Sequence, residues 1–162
     1  MIRLIRFSTL ALPLVFLAGP VSAGPGTPGH SHDHGMFSAG EPGNPKKPAR
    51  IVQITMREAE GKMLFVPKQI KVRKNEQIRL VIDNSGELDH EFVLATPEEN
   101  AKHAEAMKKN PDMEHDDPNA KRVAPKKKDE IVWKFTKAGM FEYGCLIPGH
   151  REAGMIGTVV VK

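Results

Sequence analysis

Cysteine is almost absent from this sequence of 162 residues, in which Cys145 is the only one. A single cysteine excludes an internal disulfide. The 24 basic and 20 acidic side chains give a formal net charge of +4, which is too small and too evenly mixed to indicate a nucleic-acid-binding surface. The sequence also lacks GxGxxG, a P-loop and a convincing Ser/His/Asp arrangement, so the motifs do not support a nucleotide-binding protein or a serine hydrolase.

Long apolar runs are also scarce, and the one at residues 10–18 lies close to the start of the chain. Arg3 and Arg6 precede this run, and small residues ending in Ala23 follow it. This order is typical of a secretory signal peptide, and the run is too short to span a bilayer comfortably. We therefore predict that residues 1–23 are a cleaved signal. The mature protein is expected in the periplasm and is not expected to span the membrane.

Residues 24–50 are rich in glycine, proline and serine and contain almost no large apolar side chains. Such a composition does not bury enough surface to fold alone, so we predict a flexible arm. Three histidines alternate within it, at His30, His32 and His34. Alternating imidazoles suit weak additional copper binding. A solvated polar tail has the same composition, and the sequence leaves both interpretations open.

From residue 51 onward, short runs of β-forming residues replace this polar composition. Most runs carry apolar side chains at alternate positions and are bounded by turn residues. We predict strands at residues 51–56, 63–66, 69–73, 76–83, 90–95, 129–135, 140–144 and 155–162. Seven or eight short strands at this spacing indicate an all-β domain over residues 51–162, either an antiparallel sandwich or a barrel.

One segment, residues 96–128, interrupts the succession of strands. Thr96 as N-cap, Pro97 at the first helical position and Glu99 three residues after the cap form a helix-start signature. We predict a surface helix over residues 97–109, followed by a charged loop that is first acidic and then basic. The segment is interpreted as an insertion between two core strands, and long insertions in compact domains are often functional.

Metal-ligating residues are concentrated near the end of the chain, where Cys145, His150 and Met155 are separated by four residues each. A soft thiolate, an imidazole and a thioether suit a mononuclear copper site, which also needs a second histidine. His90, at the start of a predicted strand, is the candidate. Each residue alone is also explained by core packing or a turn. The four in this order favour a metal site, and a lone thiol in an exported protein is better explained as a ligand.

These residues resemble the cupredoxins, the small blue-copper proteins. The resemblance covers residues 51–162 apart from the insertion, and it implies a Greek-key β-sandwich with one type 1 copper per chain. It also implies that His90, Cys145 and His150 are equatorial ligands, that Met155 is the axial ligand, and that copper cycles between Cu(I) and Cu(II). Glu91 departs from the family pattern, because many cupredoxins carry asparagine or serine after the first histidine. The matching segments are Asn84 to Phe92, Tyr143-Gly144-Cys145, Pro148-Gly149-His150, Gly154-Met155 and Gly157 to Val161.

The histidine arm and the insertion extend this resemblance to periplasmic cupredoxin-like copper-tolerance proteins. We therefore expect copper binding in copper tolerance, with a soluble one-electron carrier as the alternative. Copper ions are the expected partners, together with a redox partner such as a cytochrome or a multicopper oxidase, and the chain is expected to be a monomer. The sequence predicts no enzyme, although weak cuprous oxidase activity stays open. The insertion contributes His103, Met107, Met113 and His115, for which packing and solvation are the simpler individual explanations.

Overall fold

The computed structural model describes residues 37–111 and 117–162. Within these ranges, ten strands form two five-stranded sheets, and one helix follows the sixth strand. That helix is not long and apolar enough to cross a membrane. The elements are β1 (Glu41–Pro42), β2 (Arg50–Ala59), β3 (Lys62–Val66), β4 (Gln69–Val72), β5 (Gln77–Asn84), β6 (His90–Ala95), α1 (Pro97–Lys109), β7 (Ala120–Val123), β8 (Lys128–Lys134), β9 (Gly139–Gly144) and β10 (Ile156–Val161). The predictions for residues 1–23, His30, His32, His34, Met113 and His115 lie outside the described residues.

The order of strands is β1-β8-β5-β2-β3 in the first sheet and β4-β10-β9-β6-β7 in the second. β2 runs parallel to β5, and β4 runs parallel to β10. The predicted sandwich is therefore mixed, and the expectation of purely antiparallel pairing was wrong. Strand β4 lies between β2 and β5 in the chain but belongs to the second sheet. Because the chain crosses to that sheet and returns, β2 and β5 can run in the same direction. Side-chain alternation along a strand carries no information about the direction of its neighbour.

The core lies between the apolar faces of the two sheets. On β5 every second residue is buried, and Ile78, Leu80 and Ile82 are inaccessible to solvent. Such alternation is expected because successive side chains of a strand point to opposite faces. Phe92 of β6 stacks on Tyr143 of β9, with ring centroids 5.3 Å apart. This packing holds together two strands that lead directly to predicted metal ligands.

Residues 37–50 correct the predicted arm, because they lie against the sandwich. Ala39 is fully buried, and its carbonyl accepts a hydrogen bond from Trp133 Nε1 at 3.3 Å. Phe37 packs edge-on against the Trp133 ring at 5.4 Å, and β1 pairs with β8. The folded domain therefore includes residues before 51. Two isolated apolar residues in a polar stretch form no periodic pattern, so only their contact with Trp133 reveals their role.

Helix α1 begins and ends where the sequence predicts. The Thr96 hydroxyl accepts from the Glu99 N–H, and the Glu99 carboxylate accepts from the Thr96 N–H, which completes the capping box. Ala104 and Met107 are buried, whereas Ala101 is exposed and Asn100 is buried. The polar Asn100 belongs to this buried face because its amide finds partners there.

Strand β7 was missed, because residues 120–123 were predicted as part of a charged loop. The strand pairs antiparallel with β6, and Val123 lies opposite His90. Four residues with two charged side chains in the middle show no clear alternation, so the pairing with β6 decides the conformation. The insertion thus adds an edge strand to the second sheet as well as a helix.

Candidate metal centre

Three elements of the second sheet bring the predicted ligands to one end of the sandwich. His90 is the first residue of β6, and Cys145 directly follows β9. These strands are paired, with Val93 opposite Gly144, which places His90 close to Cys145. His150 and Met155 lie on residues 145–155, the loop that joins β9 to β10, which we call the ligand loop.

The side chains of His90, Cys145 and His150 converge. The Nδ1 atoms of the two histidines are 3.2 Å apart, and Cys145 Sγ lies 3.4 Å from His150 Nδ1. One ligand atom from each of the three residues lies within 4.8 Å of the others. His90 and Cys145 are fully buried, whereas His150 is partly exposed. The group therefore forms a nearly closed site with one imidazole at its edge.

Met155 is joined to two members of this group, Cys145 and His150, by backbone hydrogen bonds. Its N–H donates to the His150 carbonyl at 3.1 Å, and its own carbonyl accepts from the Cys145 N–H at 3.2 Å. The residue is fully buried. These bonds close the ligand loop on itself, so both of its ends and His150 are held in one small volume. The role of the thioether as axial ligand stays a prediction.

The turns of the ligand loop require two glycines. Gly149 has φ +88° and Gly154 has φ +99°, both in the left-handed region that side chains disfavour. Gly149 immediately precedes His150, and Gly154 immediately precedes Met155. A turn that favours glycine therefore immediately precedes each of these two predicted ligands.

Glu58 is a partner of the site that the sequence analysis missed. Its Oε1 lies 2.8 Å from His90 Nε2, and its carboxylate also accepts from the N–H groups of Glu87 and Leu88. With the Nε2 proton donated to Glu58, the Nδ1 lone pair of His90 faces the other ligands. Burial opposes a charge on Glu58, but these hydrogen bonds outweigh it and lower its pKa. No local motif indicates this role, because Glu58 precedes His90 by 32 residues.

A family model described as copper-binding proteins of the plastocyanin/azurin family matches residues 52–162. The chain belongs to this family. A copper-resistant cuproprotein, CopI, of Rubrivivax gelatinosus is 47% identical over 142 residues, which cover 81% of this chain and 84% of that protein. The protein of the same name from Pseudomonas aeruginosa is 30% identical and covers 99% of this chain and 97% of its own length.

Solved structures agree with this assignment at the level of the fold. Auracyanin B superposes with a TM-score of 0.62 at 25% identity, covering 76% of this chain and 96% of auracyanin B. Auracyanin A from Chloroflexus aurantiacus, described as a blue copper protein, gives a TM-score of 0.56 at 20% identity, with 69% and 99% of the two chains covered. The predicted cupredoxin sandwich is thereby confirmed.

The donor atoms of this cupredoxin suit copper. Two imidazole nitrogens and a thiol sulfur converge, and no carboxylate belongs to the converging group among the described residues. Soft sulfur with imidazole is the donor set that copper proteins use, whereas harder cations prefer oxygen. Together with the match to the copper-binding family, this donor set makes copper the cofactor of this chain, and His90, Cys145 and His150 are placed to hold it.

Cys145 lies in a buried environment that favours its neutral form. Burial raises the pKa of the thiol to about 12, although the Glu91 N–H donates to Sγ at 3.3 Å. In the metal-free protein the sulfur therefore carries its proton at neutral pH, and metal binding displaces it. For His150, burial lowers the pKa and the nearby His90 lowers it further, so this imidazole is ready to coordinate without losing a proton.

Glu91 replaces the expected asparagine or serine, yet its backbone still links the two ligand segments through the bond to Cys145 Sγ. Its side chain is buried and turned to other partners. Burial raises the pKa of Glu91, while nearby Arg122 and a hydrogen bond from the Leu146 N–H oppose that rise. The second carboxylate oxygen has no hydrogen-bond partner among the described residues. The departure thus keeps the link between segments and adds a buried carboxylate next to the site.

Proposed function

We propose that this cupredoxin is an exported copper-resistance protein that holds one type 1 copper at His90, Cys145, His150 and Met155. The observation that carries the proposal is the approach of one imidazole nitrogen from each histidine and the Cys145 Sγ to within 4.8 Å of one another in a largely buried site. Relatives from Rubrivivax gelatinosus, Pseudomonas aeruginosa and Vibrio cholerae, all called copper-resistant cuproproteins, support the biological role. The signal-like residues 1–23 support export to the periplasm.

The proposed ligands and the neighbouring Glu58 each contribute a separate property to this function. Glu58 orients the His90 ring by its contact with Nε2, and the buried Cys145 supplies the soft sulfur donor. The thioether of the buried Met155 would complete the donor set. Bound copper supplies a one-electron redox change between Cu(I) and Cu(II). Burial of His90 and Cys145 limits the access of water to the site, which would favour retention of bound copper over its release to solvent.

The partly exposed His150 favours a second candidate function, electron transfer. A ligand at the molecular surface gives a redox partner a short path to the site, whereas the other ligands are enclosed. A cytochrome or a multicopper oxidase in the periplasm is the proposed partner. Rapid, saturable reduction of the copper-loaded protein by such a partner would favour this candidate, and absence of transfer would remove it.

Copper titration of the purified mature protein tests the proposed site. We expect one copper per chain and thiolate-to-copper absorption in the visible region, and Cys145→Ala should abolish that absorption. Cys145→Ser, which keeps the side chain almost isosteric, provides the matched control for packing. Copper uptake without any thiolate band in the parent protein would contradict the proposed site.

Growth in raised copper tests the proposed role. Cells without the gene should grow less well than the parent, and the wild-type gene should restore growth where the Cys145→Ala gene does not. Normal growth of the deletion strain would contradict a resistance role while leaving electron transfer in place. We propose no enzymatic turnover, and an assay of Cu(I) oxidation beyond one equivalent per chain checks this.

A further inference from the structure

Leu146 and Arg151, which directly follow Cys145 and His150, both contact residues outside the ligand loop. Leu146 is buried in a small apolar cluster with Val93, Ala104, Met107 and Ala120. Two of these residues belong to helix α1. Arg151 forms a two-pronged ion pair with Glu142 of β9, and its Nη2 lies 3.0 Å from Oε2. The conformation of the loop therefore depends on more than its own turns.

Glu142 connects this ion pair to the insertion. Asn100 of α1 donates its amide to Glu142 Oε1 at 3.1 Å and lies 3.3 Å from the Val93 carbonyl. Asn100 is only 1% exposed, and the side chains of Arg151 and Glu142 are 20% and 9% exposed. Removing one partner of a carboxylate that is shielded from water in this way costs far more than breaking a surface ion pair, because the remaining charge is left buried without a partner.

Because Gly144 has no side chain, it leaves room for the ion pair between Arg151 and Glu142. A Cβ at this position would lie 3.2 Å from Arg151 Nη1 and 3.3 Å from Glu142 Oε1, closer than side chains normally approach. A second link, between Lys108 of α1 and Glu152 of the loop, spans 3.1 Å but is about half exposed at both ends. Exposed pairs contribute little, so Glu142 is the principal polar connection between α1 and the loop.

We propose that helix α1 positions the ligand loop through Asn100, Glu142 and Arg151, and so holds His150 in place before copper binds. Asn100 fixes the carboxylate, and the carboxylate fixes the guanidinium of the residue that follows His150. A ligand held in advance loses less conformational freedom on metal binding, which favours retention of the metal. The proposal takes from the proposed function only that His150 is a ligand.

Hydrogen exchange of the metal-free mature protein tests this without copper. The reporters are the His150 amide, which donates to the Ile147 carbonyl, and the Met155 amide, which donates to the His150 carbonyl. In both Glu142→Gln and Asn100→Ala, we expect these amides to exchange about tenfold faster, because local opening becomes easier. The Leu80 amide in β5 should keep its protection. Lys102→Ala, an exposed position on the same helix, is the control that should change nothing.

Three results would overturn the proposal. Unchanged protection of His150 and Met155 would show that the loop holds itself. A parallel loss at Leu80 would show that the contacts serve only global stability. Faster exchange at His150 and Met155 in Glu142→Gln but not in Asn100→Ala would show that β9 positions the loop without help from helix α1. These exchange rates are measured on metal-free protein. They would therefore keep their meaning even if the proposed copper site were shown to be wrong.

Spectroscopy of the copper-loaded protein adds a second test. Arg151→Lys keeps the charge but not the two-pronged geometry, and Arg151→Met removes both. We expect both variants to change the ratio of the visible bands and the reduction potential, with the larger change in Arg151→Met. Identical spectra and potentials in the parent and both variants would overturn a positioning role.

Discussion

Glu58 lies outside the proposed ligand set and contacts one proposed ligand, His90, directly. Its carboxylate contacts His90 Nε2 and is itself held by two backbone N–H groups on residues 87 and 88. The carboxylate thus has a fixed position, and through it the imidazole ring is fixed as well. Partners of this kind orient metal-bound histidines and raise their basicity.

We predict that Glu58→Gln weakens copper binding roughly 10- to 100-fold and raises the reduction potential. The amide keeps the size of the side chain but removes a negative charge that favours Cu(II) over Cu(I). Competition titration against a chelator and voltammetry measure the two effects. Glu60→Gln, a nearby exposed change, should leave both quantities unaltered. An unchanged affinity and potential in Glu58→Gln would contradict the role assigned to this carboxylate.

Gly157 shows the importance of close packing at a single position. A Cβ there would lie 2.1 Å from the ring of Tyr143, whose hydroxyl donates to the Pro67 carbonyl at 2.6 Å. The ring cannot move without losing this bond and its stacking on Phe92. We predict that Gly157→Ala lowers the free energy of unfolding by about 1–3 kcal/mol, the usual cost of overpacking.

Urea unfolding of the metal-free protein measures this change, with Thr158→Ala as the neighbouring control. Tyr143→Leu makes room for the added methyl group. The double variant should therefore lose less stability than the sum of the two single changes. Additive losses would argue against a direct clash between the two residues.

At the scale of elements, the segment before β2 is part of the domain rather than a separate arm. The carbonyl of Ala39 binds the indole N–H of Trp133, and β1 extends the first sheet next to β8. Two residues of strand are too short to persist alone, so β1 depends on neighbouring contacts, among them the buried Ala39 and the packing of Phe37 on Trp133.

We predict that Ala39→Glu destabilises the fold by roughly 3 kcal/mol, because it places a carboxylate where no water reaches. Thermal unfolding followed by Trp133 fluorescence measures the loss. Ala101→Glu is the matched control, since Ala101 is exposed on helix α1 and glutamate is a good helix former. Equal stability of the Ala39→Glu variant and this control would mean that the segment before β2 does not pack as described.

For the molecule as a whole, stability toward acid depends on carboxylates that are paired in the folded state. Glu76 accepts from Arg50 Nε at 2.7 Å and from the Arg73 N–H at 2.8 Å. The hydrogen bond from Arg50 holds the pKa of Glu76 below its ordinary value of 4.5, despite partial burial. Because the folded pKa is the lower one, this carboxylate stabilises the fold above pH 4.5, and the stabilisation disappears as the pH falls through the folded pKa.

We predict that Glu76→Gln costs about 1 kcal/mol at neutral pH, a value kept small because Arg50 is half exposed. The difference between parent and variant should shrink progressively below pH 4.5. Urea unfolding at a series of pH values gives this comparison, with Glu60→Gln as the control. A difference that stays constant down to the acid transition would contradict the assigned pairing.

The sequence by itself determined the features that depend on neighbouring residues. Strand alternation in β5 and the capping box at Thr96 are local patterns, so β5 and α1 could be predicted nearly to the residue. The proposed ligands were chosen from the sequence for a different reason. Donor chemistry limits the residues that bind copper, and the only cysteine left few alternatives.

Only the tertiary structure decided the features that join distant parts of the chain. The contacts of Glu58 with His90, of Ala39 with Trp133 and of Asn100 with Glu142 span 32, 94 and 42 residues. The parallel pairing of β2 with β5 likewise depends on how the chain crosses between sheets. No periodic pattern carries this information, because each contact depends on which surfaces meet when the two sheets pack. The surroundings of the proposed ligands are therefore a property of the fold, whereas the proposal of these residues as ligands comes from the sequence.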